Sequence, residues 1–500
     1  MKTTDIIKST FFFFLFQLAL LFTPGPTYFF GLLLVLFLGS FILKRNISFS
    51  LFFVYLLVIF NHSPLIQLNK PECMSMNFWY QQSFCVPIVQ TVTLKTLVSI
   101  LLFVSIVLNY KSKLVRFIKS NKIVVLPLLS IFVLICNQIF GNYEVNGLLS
   151  IVTLLSLFFA LINTLFILWI DKKNATKLVI AFCFSSVIFF FLISTLEFIF
   201  NILNSNLSTY LSQLPVASYS FQHIFRSQGP FGHPNFLAVN VGILCSFVAS
   251  NLNSESKIIV RGRHFQLLVI VTIVMGLVTI ALSKTRIVLA TLLFTFLIAY
   301  VSKTNQSFLF FLSKKNIINN YKLKIILVLV VVFLALATFG RSEGLTTLEG
   351  RWITFLQAIK ITSEKPIFGT GPELSTFYIA EFYNLEHEYM DSLRGIHTSI
   401  LLLTAENGII IGILVLMFFY FLFKNVTNNI NNNKNLPLSR MALYSLIFFI
   451  TASFFYPLYI YDSSFELIQI LTATSFFQLV IPQSEKQPSR ITTFPEQNSG

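Results

Sequence analysis

Charged side chains are scarce in this chain of 500 residues. Only 11% of its residues are Asp, Glu, Lys or Arg, whereas 55% are hydrophobic and 16% are aromatic, and the mean hydropathy is +0.79. A soluble domain carries about 25% charged residues, so most of this chain cannot be solvated. The sequence also lacks the short alternating segments of about ten residues that are typical of a membrane β-barrel. Both observations exclude those two classes of protein.

The charges that are present are mostly basic, and the formal net charge is +16. A basic balance is typical of nucleic-acid-binding proteins when the cations cluster on one surface. Here the lysines and arginines are scattered through short loops between apolar segments, as membrane topology requires. We therefore expect no nucleic-acid partner and expect membrane lipids to surround the chain.

Long apolar runs fill the remainder of the sequence. Runs of about 18 or more residues can cross a bilayer as helices, and such runs recur from one end of the chain to the other. The sequence predicts an all-α, polytopic transmembrane bundle of 12–14 spans, because the first three runs are short enough to be tilted or partly re-entrant. The fourteen candidates lie near 8–22, 28–43, 48–61, 92–109, 123–140, 148–170, 177–202, 236–250, 265–282, 286–302, 323–339, 397–423, 440–457 and 464–482.

Loop charges predict the orientation of these spans. With both termini in the cytoplasm, the alternation places only nine of the 35 lysines and arginines outside, and Lys95 falls at the start of a span. This distribution follows the positive-inside rule. The long outer loops are then 62–91, 203–235 and 340–396. The nine outer cations are Lys70, Arg226, Lys284, Arg286, Arg341, Arg351, Lys360, Lys365 and Arg394.

These boundaries divide the chain into four parts. Residues 1–202 form the N-terminal transmembrane helices, 203–424 a core that includes the outer loop 340–396, 425–482 the C-terminal transmembrane helices, and 483–500 a polar cytoplasmic tail. Within the outer loop, Trp352, Phe355, Leu356 and Ile359 share one helical face. This spacing predicts an amphipathic helix at the membrane interface.

Two of the five cysteines, Cys73 and Cys85, lie in the predicted outer loop 62–91. The exterior of a cell is oxidising, so the two can form a disulfide or remain free thiols, and the sequence favours neither. Cys136, Cys183 and Cys245 lie within spans, where we expect them to be packing residues.

Several outer cations lie where charge is costly. Lys284 and Arg286 occur in the short connection Ser283–Arg286, and Arg286 is at the mouth of a span; it either reaches the lipid headgroups or serves a ligand. Arg226 begins the stretch that ends in His233-Pro-Asn235. His233 and Asn235 can cap the following helix or bind an anion at its N-terminus.

The outer loop 340–396 contains Arg341 near its start and Arg351 just after it. Gly369-Thr-Gly371 is more often a turn than a phosphate site, and the acidic cluster Glu386-His-Glu388 lacks the spacing of a known metal motif. The loop ends at His397, which can act as a general base near neutral pH, although a single interfacial histidine is more often structural.

Taken together and in order, these stretches resemble the O-antigen ligase and polymerase superfamily of bacterial membrane glycosyltransferases. The resemblance covers about residues 220–420. It departs from the family at Thr398, where an asparagine is common after the histidine. The motifs that carry it are Gly229-Pro-Phe-Gly-His-Pro-Asn235, Ser283-Lys-Thr-Arg286, Gly350-Arg-Trp352, Gly369-Thr-Gly371 and His397-Thr-Ser-Ile-Leu-Leu-Leu-Thr-Ala-Glu-Asn-Gly408.

The resemblance implies an enzyme of the bacterial cell envelope. It would move a glycan from a polyprenyl diphosphate, such as undecaprenyl diphosphate, to a glycan, lipid or protein acceptor, as in lipopolysaccharide synthesis. Transfer would occur on the outer face of the cytoplasmic membrane, with inversion and without cofactor or metal. His397 would be the catalytic base. Arg286, Arg351, Lys284 and Arg226 would bind the diphosphate, with His233, Asn235 and Arg341 in support.

Three alternatives remain at this point. A polymerase would use a second lipid-linked repeat as acceptor, and it shares the long outer loop with a ligase. A flippase for lipid-linked sugars would need charges or broken helices near the membrane midplane, and Glu197 and Glu406 are the clearest charges within spans. A non-catalytic scaffold would not require cations and histidine around one loop.

Overall fold

The computed structural model describes thirteen stretches of the chain. They are residues 3–21, 46–60, 64–68, 90–120, 147–202, 227, 234–250, 263–304, 344–370, 399–431, 436–454, 456 and 463–476, together with single helical residues at 34, 37, 38, 129, 132, 133 and 136. The predicted spans 28–43, 123–140 and 323–339 lie outside this part, apart from those single residues.

Thirteen helices make up nearly all of the described residues. They are α1 (Thr3–Leu21), α2 (Ile47–Val58), α3 (Leu94–Ser120), α4 (Gly147–Ile170), α5 (Lys172–Ile202), α6 (Pro234–Ala249), α7 (Arg263–Leu282), α8 (Arg286–Thr304), α9 (Gly344–Glu364), α10 (Ser399–Asn407), α11 (Ile409–Asn431), α12 (Leu436–Ser453) and α13 (Ser463–Ala473).

Four of these helices contain segments long and apolar enough to cross a membrane: Leu94–Lys119, Lys172–Ile199, Phe265–Leu282 and Ile409–Ile430. Shorter apolar segments occur in α2, α4, α6, α8 and α12. Helices satisfy their own backbone hydrogen bonds, which is what a chain in lipid requires. The predicted class, a polytopic helical membrane protein, is therefore confirmed.

Two regions differ from the sequence prediction. The loop 62–91 begins and ends in short antiparallel strands, β1 (Pro64–Leu68) and β2 (Gln90–Thr93), which hold its two ends together. The span predicted at 397–423 is not one helix: it breaks between α10 and α11 at Gly408, whose φ is 86°. The hydropathy prediction did not reveal this break, because apolar runs, Leu401–Leu403 and Ile409–Ile411, lie on both sides of it.

The bundle is organised around α6 and α12. Phe448 of α12 fills the space above Gly242, where an added Cβ would lie 2.1 Å from the ring. The hydroxyl of Ser463, at the start of α13, lies 3.4 Å from Oδ1 of Asn240. The middle of α6 therefore packs on α12, and the second turn of α6 lies beside the start of α13. The free Cys183 and Cys245 are fully buried, as expected of packing residues.

A buried ion pair joins the first and last parts of the chain. Lys95 Nζ of α3 lies 3.3 Å from a carboxylate oxygen of Glu466 in α13, and both side chains are almost inaccessible. The hydroxyl of Tyr55 in α2 donates to the other oxygen at 2.8 Å. Because both groups are buried, the pairing is obligatory, since either charge alone would be strongly destabilising.

Candidate functional site

The turn between α7 and α8 is closed by its own hydroxyl groups. Ser283 Oγ lies 2.6 Å from the carbonyl oxygen of Ile280 and 2.9 Å from Thr285 Oγ1. The carbonyl of Thr285 accepts the first bond of α8. Lys284, between the two, has a left-handed backbone with φ 53°, which costs a residue with a Cβ about 1–2 kcal/mol. The turn leaves the side chains of Lys284 and Arg286 exposed.

Ser227, which precedes α6, lies against this turn. Its backbone N–H donates to the carbonyl of Leu282 at 3.1 Å, and its hydroxyl donates to the carboxylate of Glu197 near the end of α5. Ser227 is buried and Glu197 is half-buried. The residue after Arg226 is therefore fixed between α5 and α7.

Asn235 makes a second link between the same two segments. Its Oδ1 is 3.5 Å from Thr285 Oγ1. The structure overturns one of its two predicted roles: α6 begins at Pro234, so Asn235 is its second residue and is not the N-cap. Proline favours the first helical position because its missing N–H would be unpaired there.

The start of α10 is tied to the segment that follows α12. Ser399 Oγ donates to the carbonyl of Tyr456, just beyond the end of α12, at 2.6 Å. Helix α12 itself packs on the middle of α6, where Phe448 covers Gly242. In the sequence, His397 precedes Ser399 by two residues.

The described part of the Gly369-Thr-Gly motif, Gly369 and Thr370, is a turn that packs against the end of α10. The N–H of Thr370 donates to the carbonyl of Ala405 at 2.9 Å, and the N–H of Ile409 donates to Pro366 at 2.8 Å. The end of α9 and the α10–α11 break therefore satisfy each other's backbone groups, as a broken helix in a membrane requires. A Cβ at Gly369 would lie 2.5 Å from the backbone of Glu406.

Helix α9 confirms the helix predicted in the outer loop. Ala358 and Ile361 are buried against Leu402 and Ala405 of α10. The apolar face predicted from the sequence is not the face that packs on α10. Trp352 on that face is 61% exposed, and its ring stacks on that of Phe355 with the ring centres 5.3 Å apart. Leu356 and Ile359 are also exposed. An exposed apolar stripe beside a packed face suits a helix at a lipid interface.

The structure thus brings together some of the predicted site residues. Lys284, Arg286 and Asn235 lie at one end of the bundle, and the backbone of Arg351 lies in α9, which packs on α10. Sequence reasoning missed Ser227 and Thr285 as the residues that join the segments, and noted Glu197 only as a charge within a span. Arg226, His233, Arg341, His397, Cys73 and Cys85 lie outside the described residues.

Comparison with known families gives this region an identity. Residues 270–416 match the family model described as O-Antigen ligase. The predicted resemblance to the O-antigen ligase superfamily is confirmed over these residues. Among curated proteins, none matches the chain.

The O-antigen ligase domain contains much of the arrangement described above. It includes the second half of α7, the Ser283–Arg286 turn, α8, α9, α10 and the first turns of α11. Three residues that precede the matched range are connected to it. Ser227 and Asn235 contact Leu282 and Thr285 directly, and Glu197 is connected through Ser227. The site therefore extends beyond the segment by which the family is identified.

Proposed function

We propose that this protein is a membrane glycosyltransferase that takes a glycan from a polyprenyl diphosphate carrier. An acceptor hydroxyl would receive the glycan on the outer face of the cytoplasmic membrane. The observation that carries this proposal is that two basic segments, the one that follows Arg226 and the turn that contains Lys284 and Arg286, are joined by hydrogen bonds. These bonds run from Ser227 to Leu282 and from Thr285 to Asn235, within and beside the part of the chain that matches the O-antigen ligase model.

The charge at this end of the bundle suits a diphosphate. Arg286 is the first residue of α8, where the helix dipole and free N–H groups also attract anions. Lys284 is exposed beside it, and Arg226 directly precedes the anchored Ser227 in the sequence. Arg351, in α9, would complete the set. Arginine grips two phosphate oxygens at once, whereas lysine acts as a point charge.

In the proposed reaction the acceptor oxygen attacks the anomeric carbon of the donor sugar. The bond between that carbon and the diphosphate oxygen breaks, and its electron pair stays with the diphosphate. The cations stabilise the charge that develops there. His397 takes the proton of the acceptor hydroxyl. A single displacement inverts the anomeric centre, and no metal or nucleotide sugar enters the balance.

A polymerase is the second candidate. It would use the same donor and the same cations, and its acceptor would be another lipid-linked repeat. The exposed apolar face of α9 favours lipid-linked substrates in either case, because Trp352, Leu356 and Ile359 can lie among acyl chains. A flippase is the less favoured reading, since the joined cations lie at one end of the bundle and not at its middle.

The decisive test is a transfer assay on the reconstituted protein. The donor is polyprenyl diphosphate glycan, the buffer contains EDTA and no nucleotide sugar, and several acceptors are offered. We expect the wild type to transfer glycan and His397→Ala to lose at least about a hundredfold in rate, the usual contribution of a general base.

His264→Ala is the matched control. His264 is the second residue of α7, about 27 Å from Leu282 along the helix at 1.5 Å per residue, so its loss should leave transfer unchanged. Full activity of His397→Ala would remove the proposed base. Failure of the wild type with every acceptor would favour the flippase, which a flipping assay on the same vesicles would then detect.

A further inference from the structure

We propose that Glu197 is a positioning residue for the diphosphate site, because its carboxylate anchors Ser227, and the N–H of Ser227 holds the end of α7 directly before the turn that carries Lys284 and Arg286. This inference rests on the proposed function for the identity of the ligand. The anchoring itself rests on contacts that the structure describes.

Two independent bonds hold Ser227. Its N–H donates to the last carbonyl of α7, at Leu282, and its hydroxyl donates to Glu197 near the end of α5. The residue is 4% exposed, so water competes poorly with either bond. Ser227 therefore links the end of α5 to the end of α7, directly before the turn that carries Lys284 and Arg286.

The choice of a carboxylate has a physical reason. A hydrogen bond to an ionised acceptor is roughly twice as strong as one between neutral groups. A charge near the end of a span is costly, and such residues usually serve a function. A neutral acceptor would suffice merely to satisfy one serine. A carboxylate also offsets cations when no diphosphate is bound, and Lys284 and Arg286 follow directly in the turn that Ser227 contacts.

Trypsin offers a readout that does not depend on activity. It cleaves after arginine, and the bond between Arg226 and Ser227 should be protected while Ser227 is anchored. In nanodiscs, we expect Glu197→Ala and Ser227→Ala each to speed cleavage at this bond about tenfold, since each removes a bond to a charged acceptor. Glu197→Gln, which keeps an oxygen acceptor, should lie between them and the wild type.

The double variant tests whether the two residues act together. Glu197→Ala with Ser227→Ala should be cleaved no faster than either single variant, as expected for partners in one bond. Phe198→Ala, which changes the next and exposed residue of α5, is the matched control and should be cleaved like the wild type. Unchanged cleavage in the Glu197 variants would overturn the anchor.

Donor titrations then separate this inference from the proposed function. We expect Glu197→Ala to raise the KM for polyprenyl diphosphate glycan about tenfold while kcat changes much less, with partial rescue by Glu197→Gln. A changed cleavage pattern with an unchanged KM would overturn the positioning role and leave the glycosyltransferase intact. If the Glu197 variants are cleaved faster but the wild type transfers no glycan, the ligand and the proposed function are refuted and the anchor is not.

Discussion

At the scale of single residues, Lys284 holds an unfavourable conformation at the candidate site. A left-handed backbone is uncommon outside glycine, yet this position carries a long cationic side chain. The hydroxyl groups of Ser283 and Thr285 hold the turn in place around it. Strain of this kind is retained where the surrounding structure enforces it and often marks a functional position.

Replacing Lys284 should therefore separate stability from function. Lys284→Gly removes the strain and should raise the stability of the protein by about 1 kcal/mol. It also removes the ammonium group, so donor affinity should fall. Thermal unfolding in detergent and donor titration measure the two effects.

Lys284→Ala is the matched variant, because it removes the charge but keeps the strain. It should lose donor affinity like Lys284→Gly without any gain in unfolding temperature. Undiminished donor affinity in both variants would mean that Lys284 serves the turn alone and is not part of the diphosphate site.

At the scale of elements, the break between α10 and α11 fixes the position of helix α9. Gly408 ends α10 in the left-handed conformation that commonly terminates helices. The turn after α9 enters the break and exchanges backbone hydrogen bonds with both sides, at Ala405 and Ile409. The same docking places α9, and with it the backbone of Arg351, next to the helix that follows His397.

A side chain at Gly408 should dislodge this docking. The added Cβ would lie 1.9 Å from the carbonyl oxygen of Ile367, a backbone atom that cannot move alone. Adding the left-handed strain, we expect Gly408→Ala to cost about 3 kcal/mol and to lower the unfolding temperature.

Gly412→Ala provides the comparison within α11. Its Cβ would meet the hydroxyl of Thr404 at 2.4 Å, but that side chain can rotate away and alanine favours a helix. The expected cost is below about 1 kcal/mol. Equal unfolding temperatures for the two variants would contradict the docking of the turn into the break.

At the scale of the whole molecule, the buried pair Lys95–Glu466 ties the N-terminal helices to the C-terminal one. The hydrogen bond from Tyr55 to Glu466 connects residues 411 positions apart. No sequence pattern links these residues, and Lys95 was placed only at the start of a predicted span. The contact closes the bundle on the side of α13 that faces α2 and α3.

The protein should be more stable with the intact pair than with either buried charge alone. Glu466→Gln keeps the acceptor for Tyr55 but leaves Lys95 buried without its counterion, so we expect a loss of about 3–5 kcal/mol. Adding Lys95→Met removes that charge and should recover most of the loss. Unfolding temperatures of the wild type, the single variant and the double variant decide this, and a double variant no more stable than the single one would contradict it.

The sequence by itself determined the class of protein, the approximate positions of most helices that the structure describes, and the order of the motifs that resemble the O-antigen ligase superfamily. These properties are local: hydropathy and the need to satisfy backbone groups in lipid act within about twenty consecutive residues. The Gly369 turn was also predictable, because glycine and its neighbours specify turns locally.

Only the tertiary structure decided which distant residues meet. The pairing of Glu197 with Ser227, the entry of the α9 turn into the break at Gly408, and the burial of Lys95 against Glu466 each join separate segments. Many pairings of helices bury a similar apolar surface, so hydropathy does not choose among them. Close packing and the satisfaction of buried polar groups do, and both depend on the positions of all neighbouring helices at once.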